Sequence, residues 1–280
     1  MKIGMFHINT NALCEPDDLA RAAVAAEEAG FESLWTAEHV VLPDPQAPPS
    51  PMPPDGKLLD PAVALAFAAA VTNEIRLGTG IIILPQRNPL VLAKELASVD
   101  VLSKGRLIFG VGVGYLHQEF EALGIPMEDR ANRSVEYIEA MRAIWSQDSP
   151  SYDGKYVSFS GIDAHPRPVQ QPGPPVVMGG HSAPAFRRSV TLCEGWYGFA
   201  LDLEATTSCL DGLASAAAQY NRPADLGALE ISVTPRMRPS PEMVEQFAEL
   251  GVDRLVLLPN GNTADEILAF IDHIGSTILS

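Results

Sequence analysis

Cysteine is scarce: Cys14, Cys193 and Cys209 are the only three in 280 residues, an odd number without metal-type spacing. That excludes a disulfide scaffold and points to a reducing compartment. Positive charge is also short, with 19 Lys and Arg against 35 Asp and Glu, a formal net charge of −16. Binding nucleic acid or an anionic membrane requires neutralising phosphates, so neither is expected as a partner. Long apolar runs are absent; the longest, residues 62–71, falls far short of the roughly 20 residues a bilayer span needs. The N-terminus enters a strand-like run directly, without the pattern of a signal peptide, so a cytoplasmic protein is expected. Nucleotide signatures are missing too. There is no P-loop, and Gly110-Val-Gly112-Val-Gly114 brings its third glycine one residue early for the dinucleotide fingerprint. The histidines lack spacings such as His-x-His or His-Glu-x-x-His, so no metal site is expected.

What is present is a regular alternation. Hydrophobic residues make up 46% and charged ones 19%, which favours a large folded core over disorder. Strand-like runs occur near 2–8, 32–36, 76–83, 107–112, 176–179, 195–200, 229–234 and 254–258. Helical segments follow them. One closes on Gly30, and Asp60-Pro61 and Asn88-Pro89 open two more as N-cap plus first-turn proline. Val135, Ile138, Met141 and Trp145 share one helical face, and later helices are expected at 183–193, 204–220, 240–250 and 264–275. Eight strands alternating with about eight helices predict an α/β fold, a (β/α)8 TIM barrel in one domain spanning 1–280. A doubly wound sheet is the competing arrangement. Two segments break the rhythm. Residues 40–59 hold seven prolines and should form an extended loop over the strand ends. An insertion near 146–175 carries Tyr152-Asp153-Gly154-Lys155-Tyr156, where Asp-Gly suits a type I′ hairpin turn. Both are expected to shape a pocket, although surface decoration explains the hairpin equally well.

The βαβ unit across 75–115 is the most informative stretch. Its strands end in Gly78 and Gly80, then Gly110, Gly112 and Gly114, at the edge where parallel α/β folds bind ligands. Glycine there lets a flat ligand lie against the main chain. Glu38-His39 follows the second strand at the same edge; a loop histidine can exchange protons near neutral pH or simply be solvated. Met178-Gly179-Gly180-His181-Ser182 ends a strand and opens a helix, offering free N–H groups to a phosphate, or an ordinary tight turn. Arg187 and Arg188 can add charge for a polyanionic ligand or pair with surface acids.

Taken in order, these residues resemble a known family. Ala29-Gly30-Phe31-Glu32-Ser33-Leu34-Trp35 with Glu38-His39, Ile75-Arg76-Leu77-Gly78-Thr79-Gly80-Ile81, Leu84-Pro85-Gln86-Arg87-Asn88-Pro89, and the run from Leu102 to Tyr115 carry the resemblance. Glu119-Phe120, Leu123-Gly124, Pro174 to Gly180 and Glu194-Gly195-Trp196 continue it. Over roughly residues 1–200 the chain is similar to the luciferase-like monooxygenase superfamily, and within it to the branch dependent on coenzyme F420, an 8-hydroxy-5-deazaflavin. The resemblance implies an oxidoreductase moving a hydride between F420 and a small organic substrate. It also implies a cis peptide at Gly80–Ile81 behind the ring, pushing it toward the substrate. Thr79, Gly80, Ile81, Gly112, Val113, Gly114 and Tyr115 would line the ring or its tail; Gly179, Gly180, His181 and Ser182 would hold the phosphate. His39, with Glu38, would be catalytic. Tyr115 departs from members that oxidise sugar phosphates, which carry glutamate there, so that substrate class is disfavoured. An FMN-dependent monooxygenase and a non-catalytic flavin- or deazaflavin-binding protein are the alternatives, with a metal-free aldolase or isomerase barrel more distant. The family often forms dimers, so a homodimer is possible.

Overall fold

The computed structural model describes residues 1–280. In chain order the elements are β1 (Lys2–Met5), α1 (Pro16–Glu28), β2 (Ser33–Thr36), α2 (Pro61–Val71), β3 (Arg76–Thr79), β4 (Ile82–Ile83), α3 (Pro89–Leu102) and β5 (Leu107–Gly112). Then follow α4 (His117–Ala122), α5 (Arg130–Ser146), β6 (Tyr152–Asp153), β7 (Ser158–Phe159), β8 (Val176–Gly179) and α6 (Ala183–Leu192). The chain closes with β9 (Gly195–Leu201), α7 (Leu203–Gln219), β10 (Glu230–Pro235), α8 (Pro241–Glu249), β11 (Arg254–Leu257) and α9 (Ala264–Ile274). Parallel pairings run β1–β2–β3–β5–β8–β9–β10–β11, and β11 returns to β1. The ring is closed, which disposes of the doubly wound alternative. The fold is a (β/α)8 barrel, with β4 a short continuation of the third strand beside β5.

Local chemistry explains why these segments form these elements. Asp60 accepts hydrogen bonds from the Ala62 and Val63 N–H groups at 2.9 and 3.2 Å, and Asn88 does the same for Leu90 and Val91 at 3.0 and 3.2 Å. Each satisfies backbone donors that a helix start leaves free. Gly30, just past α1, turns the chain at φ +91°. Barrel strands are buried on both faces, as β5 is along its whole length. Their outward side chains pack under the helices in one large cluster, while Phe6, Trp35, Ile108, Val177, Tyr197 and Val256 form a separate one. The second cluster fills the barrel interior, with the Trp35 and Tyr197 rings stacked at 5.4 Å.

The hairpin departs from expectation. Tyr152 pairs with Phe159 and Asp153 with Ser158, and the Gly154 N–H donates to the Val157 carbonyl at 3.0 Å, so the connection is centred on Lys155 and Tyr156 instead of on Asp153-Gly154 as a type I′ turn. Tertiary contacts set that loop: the Glu136 carboxylate accepts from Tyr156 N at 2.8 Å, and Lys155 bonds Asp129 at 3.0 Å, drawing it onto α5. No helix is long and apolar enough to cross a membrane.

Candidate active site

The C-terminal strand ends surround an open cavity of about 440 Å³. Phe6, Ile81, Ile83, Tyr197 and Phe199 give it a mainly apolar wall, and the proline-rich loop brings Pro51 and Met52 to its rim. An apolar concavity with a few convergent polar groups is the usual form of a small-molecule site. The 146–175 insertion, by contrast, contributes nothing to this lining, because its hairpin packs on α5. That corrects the expectation that it shapes the pocket.

His39 supplies the main polar group. Its Nδ1 lies 3.1 Å from Oε2 of Glu119, whose side chain is wholly buried at the start of α4. Burial alone raises a carboxyl pKa, but the hydrogen bond from His39 and the Val40 N–H, at 2.6 Å from Oε1, overcome it and hold Glu119 below the usual range. An ionised carboxylate only accepts, so Nδ1 carries the hydrogen in this pair. Nε2 is therefore left facing Tyr115, whose hydroxyl is 3.4 Å away. Burial and the nearby Glu119 charge push the Tyr115 phenol up, so it remains a donor near neutral pH. Glu38 borders the cavity too, but its carboxylate receives the Ile83 N–H and the Arg87 guanidinium. Arg87 also reaches Asp60 at 2.7 Å, tying the α2 cap to the rim.

Two of the glycines, Gly110 and Gly112, serve a purpose other than the one expected. A Cβ on Gly110 would stand 1.8 Å from the Thr79 carbonyl oxygen, and one on Gly112 would stand 1.9 Å from Cδ1 of Ile81. These positions make room for the protein's own bulge at Gly80–Ile81, where the peptide is cis, instead of baring main chain to a ligand. Thr79 and Gly112 lie buried beneath the floor, Thr79 Oγ1 donating to the Gly110 carbonyl at 2.7 Å. Gly80, Ile81, Gly114, Tyr115, Gly179 and Gly180 do line the cavity; Val113, His181 and Ser182 stand outside that lining. His181 accepts the Phe199 N–H at 3.1 Å.

Three features escaped the sequence reading. Glu119 was visible in the family pattern, but nothing in a spacing of eighty residues joins it to His39. His7 lines the cavity beside Phe6, with φ 64° and no hydrogen bond to its ring. Burial lowers its pKa to about 4, so it is a neutral imidazole at pH 7. The third is the parting of the two neighbouring arginines. Arg187 turns outward over the Tyr220 ring, 5.7 Å from its centroid, while Arg188 is buried and its Nε has no partner. Ser182 begins α6 without capping it through its side chain, so its hydroxyl is free beside Gly180.

Comparison with known proteins agrees with this architecture. The family model for luciferase-like monooxygenases matches residues 1–270. An uncharacterized protein of Mycobacterium tuberculosis (strain ATCC 25618 / H37Rv) is 32% identical over 269 residues, covering 92% of this chain and 93% of the relative. The oxygenase component of a flavin-dependent trigonelline monooxygenase from Acinetobacter baylyi is 30% identical over 162 residues, 57% of this chain and 42% of that protein. Among solved structures, the coenzyme F420 dependent tetrahydromethanopterin reductase from Methanopyrus kandleri superposes with a TM-score of 0.77 at 16% identity, covering 100% of this chain and 99% of that one. This last likeness concerns the fold. The chain belongs to the luciferase-like monooxygenase family.

Proposed function

With that membership as premise, we propose that the protein is an F420-dependent oxidoreductase acting on a small organic substrate at the barrel mouth. The observation that carries the reading is the His39–Glu119 pair beside an apolar cavity backed by Ile81. The donor set fits a tricyclic cofactor with a phosphate: an apolar wall for the ring, and, on α6 and at its start, an unpartnered buried guanidinium at Arg188 and a free Ser182 hydroxyl to offer the anion. Gly114, Tyr115, Gly179 and Gly180 would flank it. When bound, F420 supplies two-electron hydride exchange with the substrate. His39 Nε2 gives or takes the accompanying proton, Glu119 fixes the ring and its tautomer, and Tyr115 steadies Nε2. Pro51 and Met52 screen the site from water. Glu38 becomes a positioning residue, since its carboxylate is committed to Arg87 and Ile83.

The choice of F420 over FMN rests on the residue pattern between positions 29 and 196. The flavin-dependent relative favours FMN as the second reading, on the same barrel and the same anion side. Titration of the protein with F420 and with FMN, read by melting temperature and ring fluorescence, separates them. F420 should bind more tightly, and reduced F420 loaded on the protein should not drive oxygen uptake. Tight FMN binding with rapid oxygen uptake would establish the monooxygenase instead. His39→Ala should retain cofactor affinity and lose about 10²–10⁴-fold in turnover, the usual contribution of a positioned acid–base group.

A further inference from the structure

The barrel mouth holds a second hollow. The ends of β9, β10 and β11 enclose about 330 Å³ lined by Phe199, Met237 and Leu258 together with Arg236 and Arg238. Phe199 borders this hollow and the His39 cavity alike, and its ring lies 5.4 Å from Phe6, so the two spaces share a wall. The backbone here is irregular in a purposeful way. Ala200 adopts φ 56°, and the β9–β10 register shifts between Val233 and Pro235. Such bulges re-aim side chains next to binding sites.

Charge makes this hollow stand out. With 35 acidic residues against 19 basic, the molecule repels anions at long range, yet no carboxylate lines this space. Other guanidinium groups are engaged: Arg21, Arg76, Arg87, Arg106, Arg130, Arg133, Arg142, Arg167, Arg222 and Arg254 all hydrogen-bond within the protein. Arg187 stacks on Tyr220, and Arg188 belongs to the cofactor's anion side. Arg236 and Arg238 make no side-chain hydrogen bond or ion pair and border the hollow that shares its Phe199 wall with the site.

We infer that the substrate is an organic anion, a carboxylate or an equivalent oxyanion on an apolar body, whose charge Arg236 and Arg238 hold while its body lies along Phe199 toward His39. Two guanidinium forks suit a planar carboxylate, and the apolar wall suits the rest. The inference rests on the cofactor occupying the His39 side. Carboxylates on an F420 tail have the same chemistry, whereas FMN has no such tail, and the test distinguishes them.

Benzoate and its neutral isostere benzamide are titrated calorimetrically into F420-loaded and FMN-loaded protein, wild type and Arg236→Ala/Arg238→Ala. Benzoate should bind at least 10-fold more tightly than benzamide in both loaded forms. The double substitution should abolish that preference while leaving benzamide binding, cofactor affinity and melting temperature unchanged. Equal or undetectable binding of the two compounds overturns the inference, as does a preference that survives the double substitution. A preference seen with FMN but lost with F420 assigns the arginines to the cofactor tail and overturns it as well. If neither cofactor binds, the functional reading above fails separately, and the benzoate preference is still measured on the cofactor-free protein.

Discussion

A carboxylate that is wholly buried and still ionised must be held by donors, and Glu119 draws on His39, the neighbouring Gln86 side chain and the Val40 N–H. Replacing it with glutamine removes the charge but keeps the volume. The lost charge-assisted hydrogen bond is worth about 1.5–3 kcal/mol, or roughly 10–100-fold in turnover. Glu119→Gln should therefore lower kcat by that factor, less than His39→Ala, with cofactor affinity unchanged; steady-state kinetics beside a cofactor titration checks this. His7 offers a test of a different kind. Its folded pKa is about 4 because burial disfavours the imidazolium, whereas an unfolded histidine titrates near 6.5. Between those values the unfolded chain binds the extra proton, so this stability is fully present above about pH 6.5 and drains away toward pH 4. The loss amounts to about 3 kcal/mol at 1.36 kcal/mol per unit. His7→Asn, which tolerates the left-handed backbone, should lack that component. Urea unfolding of both proteins at pH 7 and near pH 4 measures the difference.

At the scale of elements, the bulge between β3 and β4 and the glycines of β5 form one interlocking unit. Gly112→Ala would drive its methyl into Cδ1 of Ile81, the far end of a side chain, while Gly110→Ala would meet the Thr79 carbonyl, which is backbone. Ile81→Val removes that Cδ1. The double variant Gly112→Ala/Ile81→Val should thus recover much of the stability lost by Gly112→Ala, with a coupling within the 0.5–3 kcal/mol typical of touching residues. Gly110→Ala should show no such rescue; chemical denaturation of the five proteins decides it. The same unit shows what the sequence made legible. Apolar runs bounded by glycine and proline placed the eight barrel strands and their helices to within a few residues, because those signals are local. The glycines were visible as well, but their function was not, since only the fold brings Ile81 against Gly112. Asp153-Gly154 looked like a tight turn until Glu136 and Asp129, on or beside another helix, set the loop. That His39 and Glu38 border the cavity was legible from their place after a strand, whereas what each side chain binds depends on Glu119 and Arg87, residues distant in the chain.

Across the whole molecule, the two ends of the barrel are built on opposite principles. The mouth is open and mainly apolar, with histidines and arginines at its rim. The floor is closed by ions: Arg254, with no exposure, donates to Glu32 at 2.8 Å through two nitrogens, to Ser232 at 3.0 Å and to Glu230, which also pairs with Lys2. Between the ends lie Trp35 and Tyr197, Trp35 resting 5.7 Å from the Arg254 guanidinium. Burial works to raise the Glu32 and Glu230 pKa values, but Arg254 outweighs it and holds both below the usual carboxylate range. The stability they contribute is present above about pH 4.3 and is lost as pH falls through their folded values. Arg254→Met should then leave two partly buried carboxylates without their shared cation, at a cost of about 3–5 kcal/mol near pH 7. Protonation of those carboxylates relieves the repulsion, so the gap from wild type should narrow as pH falls below about 5. Cofactor affinity in the folded variant should stay the same, because a packed aromatic layer separates floor from mouth. Urea titrations at pH 7 and 4.5, paired with a cofactor titration at pH 7, test both halves: a cost that does not shrink with acid would refute the ionic account of the floor, and a weakened cofactor would show that the two ends are mechanically coupled.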